Sequence, residues 1–135
     1  MTDSGKETGK RVLAIDDEVV TRRVVARLLE TNGYRVSLAC SAEEALEVLE
    51  RERPAVVICD LVMPGMGGVA FVELVRARAD LAGLPILILS GRGSKSDRER
   101  ALAAGADQYM NKPFSSIDLL ASVQRLVDST DLRAA

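Results

Sequence analysis

Asp16, Asp17, Asp60, Ser90 and Lys112 are the side chains of this chain whose types and positions suggest chemistry. The first four follow apolar runs, and Lys112 follows a weaker, more polar fifth strand. Val12-Leu13-Ala14-Ile15 ends in Asp16-Asp17-Glu18, and Ala55-Val56-Val57-Ile58-Cys59 stops at Asp60. Pro85 to Leu89 ends in Ser90-Gly91, and Ala106 to Met110 is closed by Asn111-Lys112-Pro113. Singly, each has an ordinary role as a helix cap, a first-turn charge or a solvated loop residue. Brought to one place, three carboxylates repel, each close pair by roughly 4 kcal/mol at an effective dielectric of about 20, so one protonates or a cation enters. Oxygen donors in a chain with no histidine favour Mg²⁺ over zinc or copper. A Mg²⁺ site with a free carboxylate, a hydroxyl and a lysine suits phosphoryl transfer: the cations neutralise the moving group while a carboxylate oxygen attacks it.

The elements between these residues must deliver them to one edge. Short β-branched apolar runs bounded by turn signals read as strands buried on both faces. Val20, Val24 and Leu28, with Val25 and Leu29, give a helix from about Val20 to Asn32, stopped by Gly33. Arg35–Ala39 alternates as a strand with one wetter face, and Ser41 with Glu44 forms a capping box for a helix from Ala42 to about Arg51. Val69, Phe71, Val72, Leu74 and Val75 mark a third helix, and Ser94 or Ser96 caps a fourth that ends at Ala104 before Gly105. Ile117, Leu120, Val123, Leu126 and Val127 mark a last helix from about Ser116 to Ser129. Strands alternating with helices predict an α/β fold, a doubly wound parallel sheet with right-handed crossovers. The first, third and fourth strands are apolar throughout and belong in the centre, which fits the order 2-1-3-4-5. Ligands of such sheets bind beyond the carboxyl ends of the strands, at the switch point between strands one and three. Asp16, Asp17 and Asp60 end those two strands.

Length and composition bound the rest. The 135 residues, 47% of them hydrophobic, suit one core. The expected division is a flexible lead-in over residues 1–10, one domain over 11–130 and a flexible tail over 131–135. A net charge of −2 gives no footprint for nucleic acid. Cys40 and Cys59 read as small buried hydrophobes in a reducing compartment. Without an apolar leader or a membrane-length run, the expectation is a cytoplasmic protein with no membrane partner. Gly5-Lys6-Glu7-Thr8-Gly9-Lys10 has the wrong spacing and precedes a strand, so it is not a phosphate-binding loop.

Over about residues 11–130 the sequence resembles the receiver (CheY-like) domain of two-component response regulators. The shared motifs are Asp16-Asp17, Asp60 before Leu61-Val62-Met63-Pro64-Gly65-Met66, Ser90-Gly91, and Ala106-Asp107-Gln108-Tyr109-Met110-Asn111-Lys112-Pro113-Phe114. The resemblance implies a flavodoxin-like (βα)5 sheet in which Asp60 accepts a phosphoryl group from phosphohistidine. Asp17, Asp60 and the Val62 carbonyl would ligate Mg²⁺, with Asp16 acting mainly through metal-bound water. Ser90 would swing to bond the new phosphoryl group, Lys112 would pair with it, and the Lys112-Pro113 bond would be cis. Tyr109 would be the switch aromatic, turning inward behind Ser90 and remodelling the surface of the fourth helix, fifth strand and fifth helix. The alternative for Tyr109 is a packed ring with its hydroxyl in water. Implied partners are a sensor histidine kinase or histidine phosphotransfer domain, facing the first helix with Arg22 and Arg23, and a downstream protein target.

The chain departs from the family at Gly67-Gly68, where Asp-Gly is common, which predicts a looser loop. Val62 and Arg92 stand where the family tunes dephosphorylation; an apolar Val62 is a poor orienter of water, which predicts a long-lived phosphoryl group. The implied protein turns over no external substrate. An aspartyl-phosphate phosphatase would carry its second acid two residues after a nucleophile on the first strand, unlike adjacent Asp16-Asp17. A phosphorylation-independent pseudo-receiver would lack an acid or the lysine. The remaining alternative is the receiver piece of a larger multidomain regulator.

Overall fold

The computed structural model describes residues 9–91 and 94–134. Its elements alternate: β1 (Arg11–Ile15), α1 (Val19–Thr31), β2 (Arg35–Ala39), α2 (Ala42–Arg51), β3 (Val56–Asp60), α3 (Gly68–Ala77), β4 (Ile86–Ser90), α4 (Lys95–Ala104), β5 (Gln108–Asn111) and α5 (Ser116–Ala134). The strands pair in parallel in the order β2-β1-β3-β4-β5, as the placement of polar residues in the second and fifth strands predicts. β3 and β4 are buried along their whole length, whereas β5 is half-buried and exposed at Asn111. A parallel strand covered on both faces must be apolar, and an edge strand is free of that demand.

The sheet divides the core. Leu13, Ile15, Val57, Cys59, Ile86 and Ile88 pack on one face with Leu49 of α2, Phe71, Val72 and Val75 of α3, and Ala101 of α4. Val12, Ala14, Val56, Ile58, Leu87 and Leu89 pack on the other with Val25 and Leu29 of α1 and Leu119, Val123, Leu126 and Val127 of α5. Side chains of alternate strand residues go to opposite faces, so each strand feeds both halves.

Local signals set the helix ends. Ser41 Oγ accepts the Glu44 N–H at 3.0 Å while the Glu44 carboxylate accepts the Cys40 N–H at 2.6 Å, so the return bond of the capping box falls one residue earlier than usual. Ser94, not Ser96, caps α4 through the Asp97 N–H at 2.9 Å. Gly105 ends α4 at φ +119, with the Ala106 N–H returning to the Ala101 carbonyl at 3.1 Å. Arg76 of α3 then joins the amino-terminal end of the sheet. It donates to the carbonyls of Gly105 at 2.9 Å and Leu84 at 2.7 Å, and to Asp107 at 3.0 Å. Asp107 in turn accepts the Ile86 N–H at 2.8 Å.

Several expectations require correction. Val20 and Val24 are not on the buried face of α1; Val25, Ala26 and Leu29 are, and Val20 is 75% exposed. In α5, Leu119 replaces Ile117 as the first core position, because the buried spacing is Leu119, Val123, Leu126 and Val127 while Ile117 is 78% exposed. That helix runs to Ala134, beyond Ser129 and into the stretch expected to be a tail. Cys59 is buried, but Cys40 is exposed where β2 turns into the α2 cap. Of the expected flexible lead-in, residues 1–8 lie outside the described residues. No helix among the described residues is long and apolar enough to cross a membrane.

Candidate functional site

The parallel register brings the carboxyl ends of β1, β3 and β4 side by side, with Ile15 opposite Cys59 and Asp60 opposite Leu89. Asp16 and Asp17 follow β1, Asp60 is the last residue of β3 and Ser90 the last of β4. One oxygen from each of Asp16, Asp17 and Asp60 lies within 4.8 Å of the others. Asp16 and Asp60 are buried and Asp17 is exposed, so the cluster opens to solvent on the Asp17 side.

Lys112 enters from the loop after β5. Its Nζ stands 3.0 Å from Asp16 Oδ2 and 3.2 Å from Asp60 Oδ1, while its N–H donates to the Ser90 carbonyl at 2.7 Å. The Lys112-Pro113 peptide is cis, as the resemblance implies. Asp16 is held at several atoms: its N–H donates to the Ala39 carbonyl at 3.1 Å and its Oδ1 accepts the Glu18 N–H at 2.9 Å. Burial pushes the Asp60 carboxyl above its ordinary value, opposed by Lys112 and assisted by Asp16. Burial opposes the charge on Lys112, yet the hydrogen bond to Asp16 and the charges of both aspartates leave its value raised. Three carboxylates and one ammonium leave a net charge of −2 if all are ionised, and their donors are all oxygen. That donor set and charge fit Mg²⁺.

The loop after Asp60 is tighter than Gly67-Gly68 suggests. Gly68 is buried and its N–H donates to the Leu61 carbonyl at 2.8 Å. A Cβ there would stand 2.6 Å from the Asp60 carbonyl oxygen and 3.0 Å from Leu61 Cα. Both neighbours are main chain at the end of β3 and cannot swing away. Gly68→Ala is therefore expected to cost about 1–3 kcal/mol in denaturant unfolding, as overpacking does, and to displace the Asp60 amide resonance. Gly67→Ala, with a Cβ 3.3 Å from the Leu61 carbonyl oxygen and an ordinary φ of −85, should cost clearly less.

Tyr109 shares a sheet face with Ile88, its partner in the ladder, beneath α4. Its hydroxyl oxygen is not in water: it is buried with no hydrogen-bond partner among the described residues. The Arg98 guanidinium lies over the ring, 5.9 Å from its centre, within reach of a cation–π contact. A buried hydroxyl without a partner costs about 1–3 kcal/mol, so Tyr109→Phe is expected to raise the unfolding free energy by about 1 kcal/mol. Unchanged or lower stability in thermal unfolding would contradict this burial.

The structure thus gathers Asp16, Asp17, Asp60 and Lys112, with Ser90 buried at the adjoining strand end and Val62 half-exposed in the loop. Arg92 lies outside the described residues. Sequence reasoning did not find the contact between Arg98 and Tyr109, or that Arg22 folds back to donate to the Asp16 carbonyl at 2.6 Å while Arg23 is exposed. A charge on a helix gives no one-dimensional sign of such a partner.

Comparison with known proteins agrees with this geometry. Residues 12–124 match the family model described as the response regulator receiver domain. The response regulator MprA of Mycobacterium leprae is 42% identical over 120 residues, covering 89% of this chain and 52% of the relative. The chain spans about half the length of the curated relatives it matches. Among solved structures, the chemotaxis protein CheY4 of Vibrio cholerae is 36% identical with a TM-score of 0.82, over 88% of this chain and 99% of that one. The receiver domain of a sensor histidine kinase from Pseudomonas aeruginosa, solved with a magnesium ion coordinated in its active-site cleft, is 30% identical with a TM-score of 0.83, over 90% and 99%.

Proposed function

Because the chain belongs to the family of response regulator receiver domains, we propose that Asp60 is its phospho-acceptor, taking the group from a phosphohistidine of a sensor histidine kinase or a histidine phosphotransfer domain. The observation that carries this reading is the trio Asp16, Asp17 and Asp60 with Lys112 bonded to two of its members. A carboxylate oxygen of Asp60 forms the new bond to phosphorus as the bond to the donor imidazole breaks. Lys112 neutralises charge on the transferring group, and Ser90 supplies a hydroxyl at the neighbouring strand end. Asp17, Asp60 and the Val62 carbonyl are the proposed Mg²⁺ ligands, with Asp16 one water removed. The cation, when bound, would offset negative charge on carboxylates and phosphoryl oxygens alike.

Docking of the donor is proposed on the α1 side. Val20, Val24, Pro113 and Phe114 line an apolar depression of about 480 Å³ that includes Lys112 itself. The output surface is proposed on α4, β5 and α5, where Tyr109 and Arg98 meet. Gain and loss of the phosphoryl group are partly self-catalysed, and no external substrate is turned over.

Intact-mass measurement after incubation with acetyl phosphate tests the reading. The expected result is gain of one phosphoryl group that requires Mg²⁺ and is lost on hydroxylamine treatment, as an acyl phosphate is. No gain with Mg²⁺ present would end it in favour of a phosphorylation-independent interaction domain.

A further inference from the structure

β1 ends at Ile15, so the Asp16 carbonyl has left the ladder and needs another donor. Arg22 supplies it. Its N–H opens α1 by bonding the Glu18 carbonyl at 3.0 Å, and its half-buried side chain folds back so that Nη1 meets the Asp16 carbonyl oxygen at 2.6 Å. The same peptide unit carries the N–H of Asp17 on its opposite edge, and peptide planarity makes the two edges turn together. The rest of Asp16 is fixed by Ala39, Glu18 and Lys112. Holding its carbonyl completes the restraint on the plane from which Asp17 departs. Asp17 is the exposed member of the acidic trio, so its direction depends on that plane more than on packing around its side chain.

We infer that Arg22 is a positioning residue: its guanidinium sets the Asp16-Asp17 peptide and through it aims the Asp17 carboxylate at a divalent cation. This rests on the acidic trio being a Mg²⁺ site, as proposed above. Partners that orient metal ligands commonly cost tenfold or more in metal affinity when removed. Charge alone predicts the opposite sign, since deleting a nearby cation should tighten Mg²⁺ binding.

The experiment is calorimetric Mg²⁺ titration of the unphosphorylated protein, with thermal unfolding in chelator alongside. Arg22→Ala is expected to bind Mg²⁺ roughly tenfold more weakly, with a melting temperature in chelator close to the parent's. Arg22→Lys, which keeps a donor of similar reach, should recover most of the affinity. Binding by Arg22→Ala that equals or exceeds the parent's overturns the inference, as does an Arg22→Lys variant no better than Arg22→Ala. If Arg22→Ala does not fold, weaker binding by folded Arg22→Gln supports the inference and equal or tighter binding overturns it. A parent protein that binds no Mg²⁺ overturns the reading of the acidic trio itself, a result distinct from any difference among variants.

Discussion

Asp60→Asn is expected to abolish the gain of a phosphoryl group and, in chelator, to raise the melting temperature. The first effect follows from removing the attacking oxygen: an amide is neutral and a poor nucleophile. The second follows from electrostatics. Burial first, and the Asp16 charge after it, lift the Asp60 carboxyl above its ordinary value of 3.8 in spite of Lys112. A carboxyl raised on folding favours the folded state when protonated, and that contribution is lost as pH rises through the raised value. At neutral pH the parent therefore bears the cost of an ionised Asp60, which the amide avoids. The stability gain of Asp60→Asn should be present at pH 7 and disappear below the ordinary carboxyl range. Mg²⁺ should narrow the difference, since it stabilises the parent by mass action and binds the variant less well. A variant no more stable than the parent at neutral pH in chelator would mean that Lys112 fully compensates the trio.

Lys112→Ala is expected to act oppositely on stability and in two directions on the site. Removing one partner of a buried ion pair costs about 3 kcal/mol or more, because the charge left behind has neither water nor a counterion. Lys112 is only 16% exposed and touches two carboxylates, so denaturant unfolding in chelator should show a loss of about 3 kcal/mol. With all groups ionised, the site goes from a net −2 to −3, so Mg²⁺ should bind more tightly and restore much of the loss. Phosphorylation by acetyl phosphate should nevertheless slow by roughly a hundredfold, the scale on which single charge-stabilising donors act. Tighter metal binding with slower transfer separates compensation of the resting carboxylates from stabilisation of the moving group. If Mg²⁺ affinity and stability both stay at parental levels, Lys112 does neither.

The parts of the molecule that were legible are those where one residue obeys one constraint. A strand covered on both faces has to be apolar, so Val56 to Cys59 and Ile86 to Leu89 announced the centre of the sheet, and the residues that interrupted them announced its rim. Helix phase was less legible because α1 and α5 carry exposed apolar residues beside their buried ones. Val20 and Val24 are exposed and line a depression with Pro113 and Phe114, so an apolar stripe at helical spacing did not mean core. Ile117 misled similarly in the first turn of α5. The Gly67-Gly68 pair was misread for another reason. Glycine signals freedom in sequence, but Gly68 is needed because the Asp60 carbonyl leaves no room for a Cβ. Contacts between distant side chains, such as Arg98 over Tyr109, leave no periodic trace.

Lys112 is fastened at both ends: its ammonium grips the acids that end β1 and β3, while its amide hangs from the carbonyl of Ser90 on β4. A single residue is thus strung like a tendon across the rim of the sheet, attached to the outermost strand. A change of charge at Asp60 is therefore expected to shift Lys112 and, through the main chain, the edge strand that carries Tyr109, with no helix needed as relay.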